Sequence, residues 1–222
     1  MLASPRFNRL PAAERGITIG DFLVPIRVGD RMSSRARHVA LVIAGALFVF
    51  LTAQISIRLP GTPIPVTGQV FGVLLVGGAL GFRRGMLAML LYVAIGVIGY
   101  PAFAEHKGGI QVLATVTDGR LVLGSSGGYL VGFIVAGSLV GWLAELGWDR
   151  HLLGSLAAMV LGDAAIYLIG VPWLMAALNL SLADGIAKGL VPFLLWDAVK
   201  IALAAGLFPA AWWVVGRRPG ER

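Results

Sequence analysis

Between residues 189 and 215 the chain is apolar apart from one acid and one base, Asp197 and Lys200. An apolar run of about twenty residues is long enough to cross a bilayer as a helix. Hydrocarbon offers the backbone no hydrogen-bond partners, so a spanning segment must satisfy its own N–H and C=O groups, and a helix does so internally. Apolar runs also cover residues 38–57, 69–82, 85–104, 127–147 and 152–178. With 58% apolar and 13% charged residues, the chain therefore reads as an all-α polytopic membrane protein with six transmembrane helices.

Charge sets the expected orientation. Residues 1–37 hold Arg6, Arg9, Arg15, Arg27, Arg31, Arg35 and Arg37; Arg83, Arg84, Arg150, Arg217, Arg218 and Arg222 fall on the same side of a six-span chain. The opposite side keeps only Arg58, Lys107, Arg120 and Lys188. The positive-inside rule thus places both termini in the cytoplasm, and it accounts for the net charge of +7 without nucleic acid. Three parts follow: a basic segment over 1–37, a six-helix domain over 38–216, and a basic tail over 217–222. Residues 1–37 lack the apolar core and cleavage site of a signal peptide. Within them, residues 17–26 fit a short interfacial piece on an anionic leaflet, or simply a basic tail.

Several chemistries are excluded by what the chain lacks. It has no cysteine, so disulfides and thiolate metal sites are impossible. His38, His106 and His151 stand singly, without helical ligand spacing, so neither a metal nor any cofactor is expected. An intramembrane enzyme would want a nucleophile with a partner base, or a metal cluster, and neither is present.

The loops and interior polar residues carry the rest. Residues 58–69 contain Pro60, Pro63 and Pro65, which force extended or turn backbone; at membrane depth such backbone is tolerated only where it is buried in protein or lines a cavity. The stretch is thus a candidate lid, and Gln69 opens the short glycine-rich span after it. An interior tyrosine such as Tyr92 usually hydrogen-bonds a neighbouring helix. Residues 105–126 read as a long polar loop. Its Gly119-x-x-x-x-Gly124-Ser125-Ser126 spacing has the look of a phosphate loop but lacks the Lys, and no strand is expected before it. Ala40-x-x-x-Ala44 puts two small residues on one face of the first helix, where another helix can approach closely. Asp163 reads as a polar group between helices or near the cytoplasmic boundary.

Asp197 and Lys200 are the costly pair. Each charge at the centre of a spanning helix costs roughly 2.5–3.5 kcal/mol on insertion scales, which marks them as functional. Three residues apart, they share a helix face. A buried pair without a task gains little over apolar residues of the same volume.

The segments Pro63-Ile64-Pro65-Val66-Thr67-Gly68-Gln69, Gly81-Phe82-Arg83-Arg84-Gly85, Leu91-Tyr92, Gly99-Tyr100-Pro101-Ala102-Phe103-Ala104, Gly127-Gly128-Tyr129 and Pro192-Phe193 with Asp197-x-x-Lys200 together resemble the BioY family. Its members are biotin-specific substrate-capture (S) components of energy-coupling-factor (ECF) transporters, and the likeness runs over about residues 38–210. The resemblance implies the six-helix S-component fold, with biotin held near the outer face beneath the first loop. It implies that Asp197 and Lys200 contact the ureido ring, that Tyr129 lies at the pocket, and that Lys107 occupies the place of a polar ligand contact. Gln69 and Tyr92, both within the shared motifs, complete the expected substrate-binding set. It also implies that Ala40 and Ala44 dock a membrane coupling (T) subunit, that two ATPase subunits supply the energy, and that the loaded protein topples to open inward. Where the family commonly has Gly-Pro-Thr, this chain has Gly124-Ser125-Ser126, and residues 110–123 are longer than usual.

The residue chemistry fits that reading. An ionised Asp197 accepts two ureido N–H groups while Lys200 donates to the ring carbonyl. Phe193, Trp196 and Tyr129 are available to cover the apolar rings, and Lys107 to meet the ligand carboxylate. No Walker motif is present, so ATP hydrolysis must belong to partners. The competing readings are a solitary biotin transporter driven by an ion gradient, with Asp163 or Asp197 as proton carrier, and an S component for another vitamin.

Overall fold

The computed structural model of this chain describes residues 17–23 and 33–215. Most of the basic segment, including Arg6, Arg9, Arg15, Arg27 and Arg31, lies outside the described residues, as does the tail 217–222. Seven α-helices are described: α1 (Gly20–Leu23), α2 (Ser34–Ala53), α3 (Gln69–Val97), α4 (Gly127–Glu145), α5 (Leu152–Leu178), α6 (Leu182–Gly189) and α7 (Val191–Val215). Five of them, α2, α3, α4, α5 and α7, are long and apolar enough to cross a membrane. Their outward faces stay apolar: Leu168, Leu195 and Leu203 are 75%, 74% and 59% exposed, as a lipid-facing surface requires.

The second long helix does not run straight. At Gly81 the backbone takes φ 82° and ψ 179°, a region essentially reserved for glycine, and α3 breaks there. Residues 69–80 and 82–97 then fold back on one another. Gln69 and Tyr92 would stand about 34 Å apart on a straight helix, yet their side chains are 2.6 Å apart. The two arms are about 18 and 24 Å long, so each is short against a hydrocarbon core of about 30 Å. At the bend, Glu145 from the end of α4 accepts the Phe82 N–H at 2.9 Å, satisfying a donor at the start of the second arm.

The helix α4 is sandwiched between α3 and α5. Close approach there depends on small residues: a Cβ on Gly77 would sit 2.6 Å from the Gly137 carbonyl oxygen. The last helix, α7, leans on α5 and on the first arm of α3, where Phe208 covers Gly78. Ser33 caps α2 by accepting the Ala36 N–H at 3.2 Å.

Two connections differ from the sequence reading. The third span was expected to reach residue 104, but α3 ends at Val97. Pro101 lacks the N–H that would continue it, and residues 98–103 turn back so that Phe103 packs edge-on to Tyr92 at 5.7 Å. The polar loop 105–126 contains an antiparallel hairpin, β3 (Ala114–Thr117) and β4 (Arg120–Leu123). Its two-residue turn is Asp118-Gly119, both with positive φ, 51° and 74°. A strand therefore does precede Gly119, and another precedes Gly124, contrary to the expectation of none. The proline-rich stretch is closed at its base by two short strands, β1 (Ser56–Ile57) and β2 (Val66–Thr67).

Of residues 17–26, read as an interfacial piece or a basic tail, residues 24–26 fall outside the described set. Residues 17–22 rest on protein. Arg84 donates to both Asp21 carboxylate oxygens at 2.8 and 3.1 Å and to Thr18 Oγ1 at 3.1 Å, and Phe22 meets Trp212 of α7 edge-on at 5.8 Å.

Candidate substrate-binding site

One cavity, about 680 Å³ of atom-free space with its open mouth included, lies among α3, α4, α5, α7 and the loops at one end of the bundle. Its walls are mostly apolar: Ile64 and Pro65 from the proline-rich loop, Val70, Phe103, Leu130, Phe133, Ile166 and Phe193. Polar groups enter at separate places, the pattern usual for a small-molecule site.

On α7, Asp197 and Lys200 project into this cavity about two turns in from Val191. Asp197 is 1% exposed, and its Oδ1 takes a 2.7 Å charge-assisted bond from Lys200 Nζ. Its Oδ2 accepts the Tyr167 hydroxyl of α5. Each carboxylate oxygen has about two acceptor positions, so Asp197 keeps capacity for a further donor. Lys200 likewise keeps two N–H groups beyond the one used on Asp197. The floor is thus a buried acceptor beside a buried donor, held by a third side chain. One turn before Tyr167 lies Asp163, 7% exposed, with its Oδ1 lacking a hydrogen-bond partner among the described residues.

Tyr129 lines the cavity at the start of α4. Its hydroxyl donates to the Gly189 carbonyl at 2.7 Å, and its ring stands edge-on to Tyr167 at 6.2 Å. It therefore offers a ring wall to a ligand while its polar end ties α4 to the α6–α7 junction. On the opposite wall Gln69 is held from both ends: its Oε1 accepts Thr67 Oγ1 at 3.0 Å, and its Nε2 donates to the Tyr92 hydroxyl at 2.6 Å. Tyr92 in turn donates to the Ala102 carbonyl at 3.1 Å. Tyr92, expected at the pocket, does not line it; it stands behind Gln69 and orients it.

Near the loops, Lys107 also lines the cavity. Its Nζ lies 2.7 Å from Glu105 Oε2, and Arg58 grips the same carboxylate with Nε and Nη2. The Arg58 bonds, with Lys107 second, hold the Glu105 carboxyl far below the usual range, at about 2.

Asp197, Lys200, Tyr129, Gln69 and Lys107 thus share one cavity. Trp196 does not join them. It is 42% exposed and faces away, because adjacent residues on a helix point about 100° apart. Tyr167, Thr67, Ser126 and Phe103 line the cavity without having been singled out. For Tyr167 the available signal was its position one turn after Asp163. Ala40 and Ala44 lie outside the site, exposed on the outer face of α2 beside Val39, Ile43 and Leu47.

A multi-pass bundle with an apolar cleft, ionic at its floor and cationic near its loops, defines a membrane-embedded small-molecule binding protein. Its fold matches the crystal structure of the S-component for biotin from an ECF-type ABC transporter, with a TM-score of 0.70 over 81% of this chain and 93% of that one, at 23% identity. The BioY family model matches residues 28–217, and the chain belongs to the BioY family. Among its relatives, the biotin transporter BioY of Thermotoga maritima is 38% identical over 74% of this chain and 90% of its own length. The probable biotin transporter BioY of Pyrococcus horikoshii is also 38% identical, over 77% and 93%. The biotin transporter BioY of Rhizobium etli is 30% identical over 72% and 84%.

Proposed function

We propose that this chain captures biotin at the outer face of the cell membrane, as the substrate-binding subunit of an ECF transporter, and that it is not itself an enzyme. The observation that carries this reading is the Asp197–Lys200–Tyr167 cluster at the floor of an apolar cleft. Biotin presents a cyclic urea with two N–H donors and one strong acceptor, an apolar bicycle, and a terminal carboxylate. Asp197 receives the N–H groups, Lys200 donates to the carbonyl, the Tyr129 and Phe193 rings cover the bicycle, Gln69 contacts the ligand from the opposite wall, and Lys107 meets the carboxylate. Purified protein titrated by calorimetry against biotin, thiamine and riboflavin is expected to bind biotin alone. Saturable binding of another vitamin in place of biotin refutes the substrate.

The finer topology belongs to the same proposal. The two arms of α3 count as separate spans, giving six, with the basic segment 1–37 and the tail 217–222 in the cytoplasm and the substrate domain over 38–216. The chain has no native cysteine, so single cysteines at Ser33 and Thr62 give a clean accessibility test. Labelling of Thr62→Cys but not Ser33→Cys by an impermeant reagent on intact cells is the expected outcome.

Energy then comes from partners, a T subunit and two ATPases, with the T subunit docking at Ala40 and Ala44. Their small side chains make a shallow notch between exposed Val39, Ile43 and Leu47. Replacing both with Trp should abolish co-purification with the T subunit while leaving biotin binding intact; undiminished complex argues against the docking face.

A further inference from the structure

Three charges from two loops meet near the mouth of the cleft. Arg58 lies six residues before Ile64, where the proline-rich loop begins to line the cavity, and Lys107 lies on the loop after α3. Glu105 brings them together. Its backbone adopts a left-handed conformation, φ 60°, uncommon for a residue other than glycine, and from there the carboxylate faces both cations. Arg58 Nη2 at 2.9 Å and Lys107 Nζ at 2.7 Å end on the same oxygen, Oε2. The two cationic nitrogens therefore lie no farther apart than those two distances together. Lys107 is the member that lines the cavity.

Charge counting shows what this cluster offers a ligand. Two cations and one anion leave a single unit of positive charge. Had Arg58 been absent, Glu105 would cancel Lys107 outright, and an incoming carboxylate would meet a neutral pair. Had Glu105 been absent, the cations would repel each other and lose the carboxylate that joins them. The Lys107 and Arg58 side chains are 53% and 76% exposed, so the field they make is partly screened by water and salt.

We propose that Glu105 and Arg58 are specificity-determining positioning residues for the ligand's tail: through Lys107 they leave one net positive charge at the mouth, and so select a ligand whose tail carries a single negative charge. Neither residue need touch the ligand. Their influence is electrostatic, exerted on the Lys107 ammonium and on the space beside it. The inference rests on the biotin reading given above.

The test is a ratio that follows net charge. Biotin has an anionic tail, and biotinamide has the same rings with a neutral one. Calorimetry on the purified full chain gives the affinity ratio of biotin to biotinamide. The wild-type cluster carries +1, Arg58→Ala carries 0, Glu105→Gln carries +2, and the double variant carries +1 again. One unit charge at such a distance, in a partly solvated site, is worth about three- to tenfold. The ratio should fall by about that factor in Arg58→Ala, rise by about that factor in Glu105→Gln, and return to the wild-type value in the double variant. It should also converge toward unity at high salt. A structural role alone moves both ligands together and gives no rescue. A ratio unchanged in both single variants, or a double variant no closer to wild type than its parents, overturns the proposal while leaving biotin as the substrate. Failure of the unaltered chain to bind either ligand overturns both readings.

Discussion

Replacing Lys200 with Met separates what the ion pair does for the fold from what it does for the ligand. In the intact protein Asp197 is 1% exposed and takes bonds from Lys200 and Tyr167. Met fills a similar volume without charge, so Asp197 is left with one donor in a buried site. Removing one member of a buried pair costs about 3–5 kcal/mol, because the remaining charge is uncompensated. For a chain of this size each kcal/mol moves the melting temperature by about 2–4 °C, which puts the expected drop near 10 °C. Binding suffers separately. A lost charge-assisted bond to the ureido carbonyl is worth about 1.5–3 kcal/mol, or roughly 10- to 150-fold in affinity. The double variant Asp197→Asn/Lys200→Met has no net charge left to compensate, and replacing a buried ion pair by neutral groups is often neutral for stability. Thermal unfolding in detergent should therefore show most of the lost stability restored in the double variant, whereas calorimetry should show biotin affinity still at least tenfold below wild type. Wild-type biotin affinity in the double variant would refute the assignment of this pair as the ligand's polar anchor.

Other outcomes follow from the same structure. Tyr92→Phe takes away the partner of Gln69 Nε2 and the donor to the Ala102 carbonyl; it should cost about 1–3 kcal/mol of stability and lower biotin affinity severalfold, read by the same two measurements. Gly81→Ala should cost about 1–3 kcal/mol, visible as a lower melting temperature. Its φ of 82° with ψ 179° suits glycine alone, and a Cβ would sit 2.5 Å from a Glu145 carboxylate oxygen. Asp149, in the turn between α4 and α5, is 1% exposed and bonded to Trp212 Nε1 at 2.7 Å. Burial pushes its carboxyl up to about 6, against the opposing pull of the Trp212 N–H and Arg150. A raised folded value means stability is fully present below the unfolded value near 4 and is lost as pH rises through about 6. Asp149→Asn should flatten that part of the melting-temperature profile.

Much of this architecture is legible in the chain because hydropathy registers what lipid demands. The apolar runs, the break near Arg83 and Arg84, and the anomalous Asp197 and Lys200 all express one solvent's cost for polar groups. Where hydropathy is silent, the sequence reading drifted. Residues 98–104 are apolar enough to extend a helix, and only Gly99 and Pro101 mark the stop. The hairpin after Val112 carried its own signal, Asp118-Gly119 flanked by Val116, Thr117, Leu121 and Val122. For Tyr167 the chain offers only its position one turn after Asp163, because its bond to Asp197 spans thirty residues of sequence and exists only once α5 and α7 pack. Trp196 shows the reverse error, since its closeness to Asp197 along the chain conceals a turn of about 100° around the helix. For Tyr92 the expectation of a neighbour's hydrogen bond described its surroundings better than its inclusion among ligand contacts.

The bend at Gly81 also reaches into the surrounding lipid. A bundle whose second long helix is folded into arms of about 18 and 24 Å presents a shorter hydrophobic height on that flank than α5 or α7 present elsewhere. Lipid next to the short arms must thin, or the protein must tilt, at a cost of fractions of a kcal/mol for each ångström of mismatch. A bilayer would then act as an asymmetric spring around this protein, relaxed on one side and compressed on the other. Acyl-chain length then becomes a variable that biases the orientation of the whole bundle, and reconstitution in thin and thick bilayers would resolve that bias as a change in tilt.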